Sequence, residues 1–349
     1  MASLNIENFG DLLKATLSHF DEPDYTNLVT DLTDHPFAKR MAPKASMKIK
    51  SGKSCVFKVR MLTGNSFANI SPTDHDQVNI VDGLVDGEVQ WRKSGVKYAF
   101  LDEEVSINMN PQRLIDLIKM REDGADQDWI EGLEGNGWNF PSASDTLTPF
   151  GLPYWIPKNA TEGFNGGVPS GYTSTVAGIS PTTYSRWNNY TGQYTDVTLD
   201  DLISKARTMA DKTNFKPMVR SVPDAGGDTP NRSYVTNLTV RQKFADVADG
   251  RNDNLGPDVS KMDSEVTFRR SPLEYAPMLD RDSTNPLYQL DWRHIKIYVQ
   301  TGWWQKRTVL SPYPGQRNMT GVFMDSLYQI ICRNRRTQGV LATGTTYPS

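Results

Sequence analysis

The chain has 349 residues, 37% of them hydrophobic and 23% charged, enough to build a core in one large or two ordinary domains. Lys+Arg 38 against Asp+Glu 41 leaves a net charge of -3. The basic excess of a protein that grips nucleic acid tightly is absent, so any such contact is expected to be weak and local. Two distant cysteines, Cys55 and Cys332, form neither a disulfide framework nor a zinc site. No apolar run is long enough to predict a membrane span, and the N-terminus lacks the basic and apolar regions of a signal peptide.

In chain order, Leu4, Ile6, Phe9, Leu13, Leu17 and Phe20 recur at helical spacing and predict a short amphipathic helix. The polar stretch that follows, punctuated by Pro23, Pro36 and Pro43, reads as an extended arm. Such an arm cannot bury itself, so it is expected to lie on a neighbouring subunit, with Phe9 and Leu13 as contacts. Residues 54–62 read as a strand, and Val89–Trp91 and Val96–Phe100 alternate, a pattern that Val105–Met109 continues. The long polar interval between them predicts an extended β-hairpin standing off the body, with Trp91 and Tyr98 as further contacts between chains.

Asn110-Pro111 is a helix start, a capping residue followed by proline at the first helical position. Leu114, Ile115, Leu117, Ile118, Ala125, Trp129 and Leu133 supply an apolar face, expected to lie under the C-terminal strands. Glu122, Asp123, Asp126, Asp128, Glu131 and Glu134 supply an acidic opposite face. This predicts the longest helix of the chain, ending near Gly135-Asn-Gly137. Residues 147–195 are rich in Gly, Pro, Thr and aromatic rings and read as an irregular, tightly turned segment. Thr198-x-x-Asp201 resembles a capping box and opens a second amphipathic helix through Lys212. Tyr234–Lys243 reads as a strand and 245–263 as an acidic, polar loop.

Several motifs fail on inspection. Ser51-Gly52-Lys53-Ser54 suggests a phosphate loop, but the required earlier glycine is Met47. Gly135-Asn-Gly137 lacks the third glycine of a dinucleotide fingerprint, where Phe140 stands. His19, His35, His75 and His294 share no metal-ligand spacing, and His294 reads as a packed histidine in an alternating strand. Asp246, Asp249, Asp253 and Asp258 miss the calcium-loop pattern. The expectation is a chain with no catalytic centre, no cofactor and no required metal. The aromatics of 154–194 leave one alternative of a different class: a secreted or surface carbohydrate-binding or carbohydrate-active protein. Arg333-Asn-Arg335-Arg336 is a basic cluster at a strand end, suited to pair with an acidic face in the same or a neighbouring chain, and all three arginines are candidate contacts.

Four blocks carry a family resemblance: Thr175-Val-Ala-Gly178-Ile179 with Arg186-Trp187-Asn188, Phe268-Arg-Arg-Ser-Pro272-Leu273, the Asn285–Val299 strand, and Cys332-Arg-Asn-Arg-Arg336. In order and spacing they resemble the major capsid proteins of tailed bacteriophages, which have the Hong Kong 97-type fold. Many relatives carry glycine two residues before the proline of the second block, where this chain has Arg270. The resemblance implies an α+β fold with an N-terminal arm (1–46), an extended loop (47–101), a peripheral domain with a long spine helix (102–194 and 311–349) and an axial domain (195–310). It further implies self-assembly into the hexamers and pentamers of an icosahedral head around double-stranded DNA. Expected partners are separate scaffolding, cement or decoration, and portal proteins, with weak contacts to packaged DNA and none to a membrane. The expected location is the virion, assembled in the host cytoplasm. Because Met1-Ala2 leads at once into the first amphipathic helix, a scaffold encoded elsewhere, or none, is expected.

Overall fold

The computed structural model describes residues 35–43, 47–62, 82–101, 103, 111–215, 231–249, 267–269, 271–310 and 318–348. The chain first forms helix α1 (Pro36–Met41), then strands β1 (Met47–Lys50), β2 (Ser54–Arg60), β3 (Leu84–Gln90) and β4 (Arg92–Leu101). Helix α2 (Pro111–Trp138), the turn-long α3 (Leu152–Trp155), strands β5 (Gly163–Gly166) and β6 (Asn189–Gln193), and α4 (Ser204–Lys212) follow. Next come β7 (Arg232–Thr236), α5 (Leu238–Asp249), β8 (Thr267–Phe268), β9 (Ser271–Tyr275) and β10 (Leu287–Asp291). The last strands are β11 (Ile295–Gln300), β12 (Lys306–Leu310), β13 (Met319–Cys332) and β14 (Gly339–Ala342).

Two large sheets organise the molecule. The first is five-stranded and built on β13, the longest strand. One edge of β13 pairs with β4 from Met319 to Tyr328; the other pairs first with β12 and then with β11, and β1 joins β11 in parallel. Alternation along β13 puts Val322 and Met324 on the same face as Tyr98 and Phe100 of β4, and α2 covers that face. The Ile118, Ala125, Trp129 and Leu133 stripe of α2 is buried as its spacing requires, and Trp129 meets Trp304 edge-on at 4.7 Å. The second sheet is seven-stranded, in the order β5-β6-β14-β10-β7-β9-β8. Its central strands β6, β14, β10 and β7 are buried on both faces. Tyr234, Leu273, Leu287 and Leu341 pack with Met209, Val240 and Phe244 of α4 and α5. The alternate residues Val235, Tyr288, Leu290 and Val340 belong to the main core with Phe37 and Trp138.

Besides the long connection from β4 to β5, the chain passes directly between the sheets at two neighbouring points. β10 leads into β11 through a 3-10 turn, Trp292–His294, and β13 leads into β14 through residues 333–338. The two passages are bonded together: Arg333 N donates to His294 O (2.9 Å), Asp291 N donates to Gln338 Oε1 (2.8 Å), and Gln338 Nε2 donates to Asp291 O (3.0 Å). The expected single strand over 285–299 is therefore two strands in different sheets, and His294 sits in the turn between them. The sheets also cross the expected divisions at 194/195 and 310/311. Strands β5, β6 and β14 join the sheet of β7 to β10, whereas β11 and β12 lie beside β13.

Other expectations are corrected. Within 47–101, β1 and β4 are strands of the five-stranded sheet, and it is β2 and β3 that form a separate two-stranded ribbon. Its base does not stand off the body: Phe57 packs at 6.1 Å from Trp155 and 6.3 Å from Trp187, and Glu88 N donates to Ala177 O (3.0 Å). The interval 63–81 and the stretch Val105–Met109 lie outside the described residues, as does the expected helix of the first twenty residues. Helix α2 runs through Gly135-Asn-Gly137 to Trp138, and two members of its expected acidic surface, Glu122 and Glu134, are buried. The strand expected over 234–243 ends at Thr236, because the Asn237 side chain accepts from Val240 N (3.1 Å) and caps α5, which takes in 245–249. Helix α4 is preceded by a π-helical turn, Leu199–Ile203, and Thr198 Oγ1 accepts from Asp201 N (3.3 Å) as the capping pattern predicts.

Candidate inter-subunit surfaces

The seven expected contact residues divide by burial. Phe9 and Leu13 lie outside the described residues. Trp91, at the bend between β3 and β4, is half-buried and its Nε1 donates to Gly52 O (3.0 Å). Tyr98 faces α2 rather than a neighbour: its ring meets Phe100 edge-on at 5.8 Å, and its hydroxyl is buried without a partner among the described residues. Burial, then the Glu122 charge, holds that phenol well above its usual range. Across from it, Arg307 of β12 pairs with Glu122 at 2.5 Å and Asp126 at 3.6 Å. Burial pushes the Glu122 carboxyl up to about 7 despite that cation.

The basic cluster also splits. Arg335 is 0% exposed and cannot reach another chain. Its guanidinium lies between α3 and the β5–β6 edge, donating to Trp155 O (2.6 Å), Gly166 O (3.0 Å), Gly167 O (2.8 Å) and Asn189 Oδ1 (3.3 Å), with Trp187 beneath it at 5.6 Å. Burial pulls its pKa down to about 10. The expected surface role is corrected to a structural one, since carbonyls that end α3 and β5 converge there and need a planar, multiply donating group. Arg333 lies over the Tyr298 ring at 5.5 Å and Arg336 over Phe164 at 3.8 Å; both are half-buried on their own chain.

The surfaces that remain open are strand edges and one ribbon face. Strands β1, β4 and β12 each leave an edge that no described strand covers, and such edges are templates for pairing with further chains. On β1, Ile49 is 72% exposed between Lys48 and Lys50. The outward face of the β2–β3 ribbon carries Val56 and Leu84, the latter 55% exposed, among Lys58, Arg60, Asp86 and Glu88. Ile49 is not among the expected contacts because a single isoleucine between two lysines carries no strand or contact signal in the sequence.

No group of three or more His, Cys, Asp or Glu among the described residues could hold a metal ion. Cys55 and Cys332 are buried, and burial pushes their thiols up to about 11 and about 12, far from reactive thiolates. Much of the aromatic segment is packed away. Phe150 stacks on Tyr154 at 4.0 Å, Phe140 stacks on Tyr347 at 4.0 Å, and Trp155, Trp187, Tyr190 and Tyr194 are buried. Phe164, Tyr172 and Tyr184 are half-buried.

No family model matches the sequence. No curated protein matches it either. Solved structures do resemble its fold. A chain of the cyanophage A-1(L) capsid asymmetric unit superposes with a TM-score of 0.62 at 13% identity, over 96% of this chain and 99% of that one. A chain from the capsid of a native GTA particle gives 0.58 at 9% identity, covering 93% and 94%. The holo-SrpI encapsulin complex of Synechococcus elongatus PCC 7942 gives 0.51 at 10% identity, covering 97% and 98%. At these identities the likeness is one of fold: the chain has a mixed α+β fold resembling those of capsid-like shell proteins.

Proposed function

We propose that the chain is the major capsid protein of a tailed phage, assembling into the hexamers and pentamers of an icosahedral head that encloses double-stranded DNA. The observation that carries this reading is the end-to-end correspondence with a phage capsid chain, 96% of this chain on 99% of that one. Such a match leaves no sizeable part of the chain to a different architecture. Open strand edges and a ribbon whose charged outer face exposes Val56 and Leu84 support it, because surfaces of this kind bury little within one chain and much between chains, and many modest contacts act together. In this reading the chain is not an enzyme. Residues 1–46 and 47–101 reach neighbouring subunits, with Phe9, Leu13, Trp91, Arg333 and Arg336 at the contacts. Scaffolding, cement or decoration, and portal proteins are separate partners, and the chain resides in the virion.

Electron microscopy and sedimentation of the purified full-length chain test the proposal. Closed shells or capsomers are expected. A small, monodisperse particle would overturn it, and one with glycan affinity would favour the carbohydrate alternative. Shells isolated from the source without DNA would remove the phage head and leave a protein shell of the encapsulin kind.

A further inference from the structure

The parallel pair β1–β11 gathers positive charge on the face of its sheet turned away from α2. Register sets this face: Tyr298 stands beside Gln329 of β13, whereas Ile297 stands beside Ile330, which shares the side of Met324. Lys48 is the partner of Tyr298 across the pair, and Lys50, two residues on, lies over the Tyr298 ring at 5.4 Å. Lys296, two residues before Tyr298 on β11, shares the face. Burial, and then the charge of Lys48, draw its ammonium below the usual range. Arg333 stands behind these lysines, over the same tyrosine ring at 5.5 Å. Lys48 is exposed, and Lys50, Lys296 and Arg333 are half-buried, so the group is open to solvent.

No acid answers this charge. Among the described residues, no carboxylate forms an ion pair with Lys48, Lys50, Lys296 or Arg333. Lys50 donates to Val56 O, a neutral acceptor. Beyond Arg333, toward the crossing, Arg293 and Arg232 share the one carboxylate of Asp291 around a half-buried His294. The chain as a whole carries -3, so the local excess does not follow from a basic composition. Like charges held together repel unless a partner brings anions to them. The acidic face of α2 on a second copy is poorly equipped for that. Glu122 and Glu134 are buried, Asp126 is paired with Arg307, Asp123 is half-buried, and only Asp128 and Glu131 of the six stand exposed.

We propose that Lys48, Lys50 and Lys296, backed by Arg333, form the surface on which the chain meets the phosphates of packaged double-stranded DNA. The inference rests on the shell reading and deepens it by naming the face that looks inward. Spacing supports it. Lys48 and Lys50 are two residues apart on one strand, about 6.6 Å, close to two steps of the roughly 3.4 Å between successive charges along one DNA strand. Lysines meet phosphate as mobile point charges rather than through a fixed fork, so this surface binds without regard to base sequence. Three such contacts are few, and they hold the duplex weakly enough for it to slide past.

Fluorescence anisotropy of the full-length chain before assembly, with a short random-sequence DNA duplex, tests the proposal. Three phosphate contacts give a slope of about -2.7 in log affinity against log salt, so affinity should fall roughly 40-fold between about 50 and 200 mM salt. Lys48→Gln combined with Lys296→Gln should leave about a third of that slope. Lys205→Gln combined with Lys243→Gln, the same loss of charge on α4 and α5, should leave it whole. A native chain with no duplex affinity at low salt overturns the inference, and so does a slope that the Lys48 and Lys296 changes leave untouched. If that variant binds duplex as the native chain does but forms no shells, the lysines belong to a contact with a neighbouring subunit instead. Shells assembled from a chain without duplex affinity sink this inference and leave the shell reading standing. Duplex affinity on this face in a chain that forms no shells does the reverse.

Discussion

Arg335 occupies a position that no other residue type can fill. Four acceptors from α3, the end of β5, its neighbour Gly167 and the start of β6 converge on one guanidinium, and no carboxylate pairs with it among the described residues. A lysine carries the charge but cannot present a planar fork, so some of these buried acceptors would lose their donor, at about 1–3 kcal/mol each. Arg335→Lys is expected to lower stability by about 2–4 kcal/mol in urea unfolding. An unchanged midpoint would mean that the acceptors find water. Trp129 is the apolar counterpart. Its indole is buried between α2 and the turn that holds Trp304, and Trp129→Ala should cost about 3–5 kcal/mol. A melting midpoint that stays put would show the α2 face to be loosely packed.

Helix α2 shows how one element can be legible in outline and hidden in detail. Its start at Pro111 and its buried stripe at Ile118, Ala125, Trp129 and Leu133 follow from spacing. Its end does not, because Gly135 and Gly137 read locally as stop signals and only their neighbours in space keep the helix going. Gly137 stays helical because the Phe37 ring occupies the place of a side chain, and Asn136 Nδ2 donates to Tyr328 OH at 2.9 Å. Gly132 has nothing within reach of an added Cβ. Opposite outcomes are therefore expected from one substitution. Gly132→Ala should raise stability by about 0.5–1 kcal/mol through helix propensity. Gly137→Ala should lower it, because the gain is smaller than the cost of displacing Phe37. Thermal unfolding of the pair checks both, and equal shifts would contradict the close packing of α1 on α2. The same limit explains the other misses. Glu122 and Glu134 look like members of a solvated face, and only partners about one hundred or more residues away, Arg307 and the α1 backbone, bury them. The 285–299 run alternates as one strand would, and nothing local announces that it changes sheets at Trp292. Arg335 reads as a charged strand end until the carbonyls around it are placed.

Taken as a whole, the molecule is two sheets bound at a double crossing, with ionisable groups enclosed at both. Their shifts run in opposite directions and set where the fold is most stable. Burial lifts Glu134 and Glu122 to about 7, and it raises Asp126 as well. Asp291 at the crossing is opposite in effect: burial pushes it up, but the bond and charge of Arg293, with His294 and Arg232, hold it below its usual value. Asp291 therefore contributes stability that is present above about pH 4 and lost in more acid solution. Glu134 and Glu122 contribute stability that is complete below about pH 4.5 and lost as pH rises through 7. For Glu134, which no cation offsets among the described residues, the loss is on the order of 3 kcal/mol. The unassembled chain is thus expected to melt highest near pH 5 and progressively lower toward pH 8. Its midpoint should vary much less with pH across that window in a variant carrying both Glu134→Gln and Glu122→Gln, the remainder coming from Asp126, which burial raises, and His294, which burial lowers. Calorimetry from pH 4 to 8.5 reads this directly. A stability maximum at pH 7–8 would mean that both carboxyls are ionised at little cost in the folded chain, and that water or a cation reaches them.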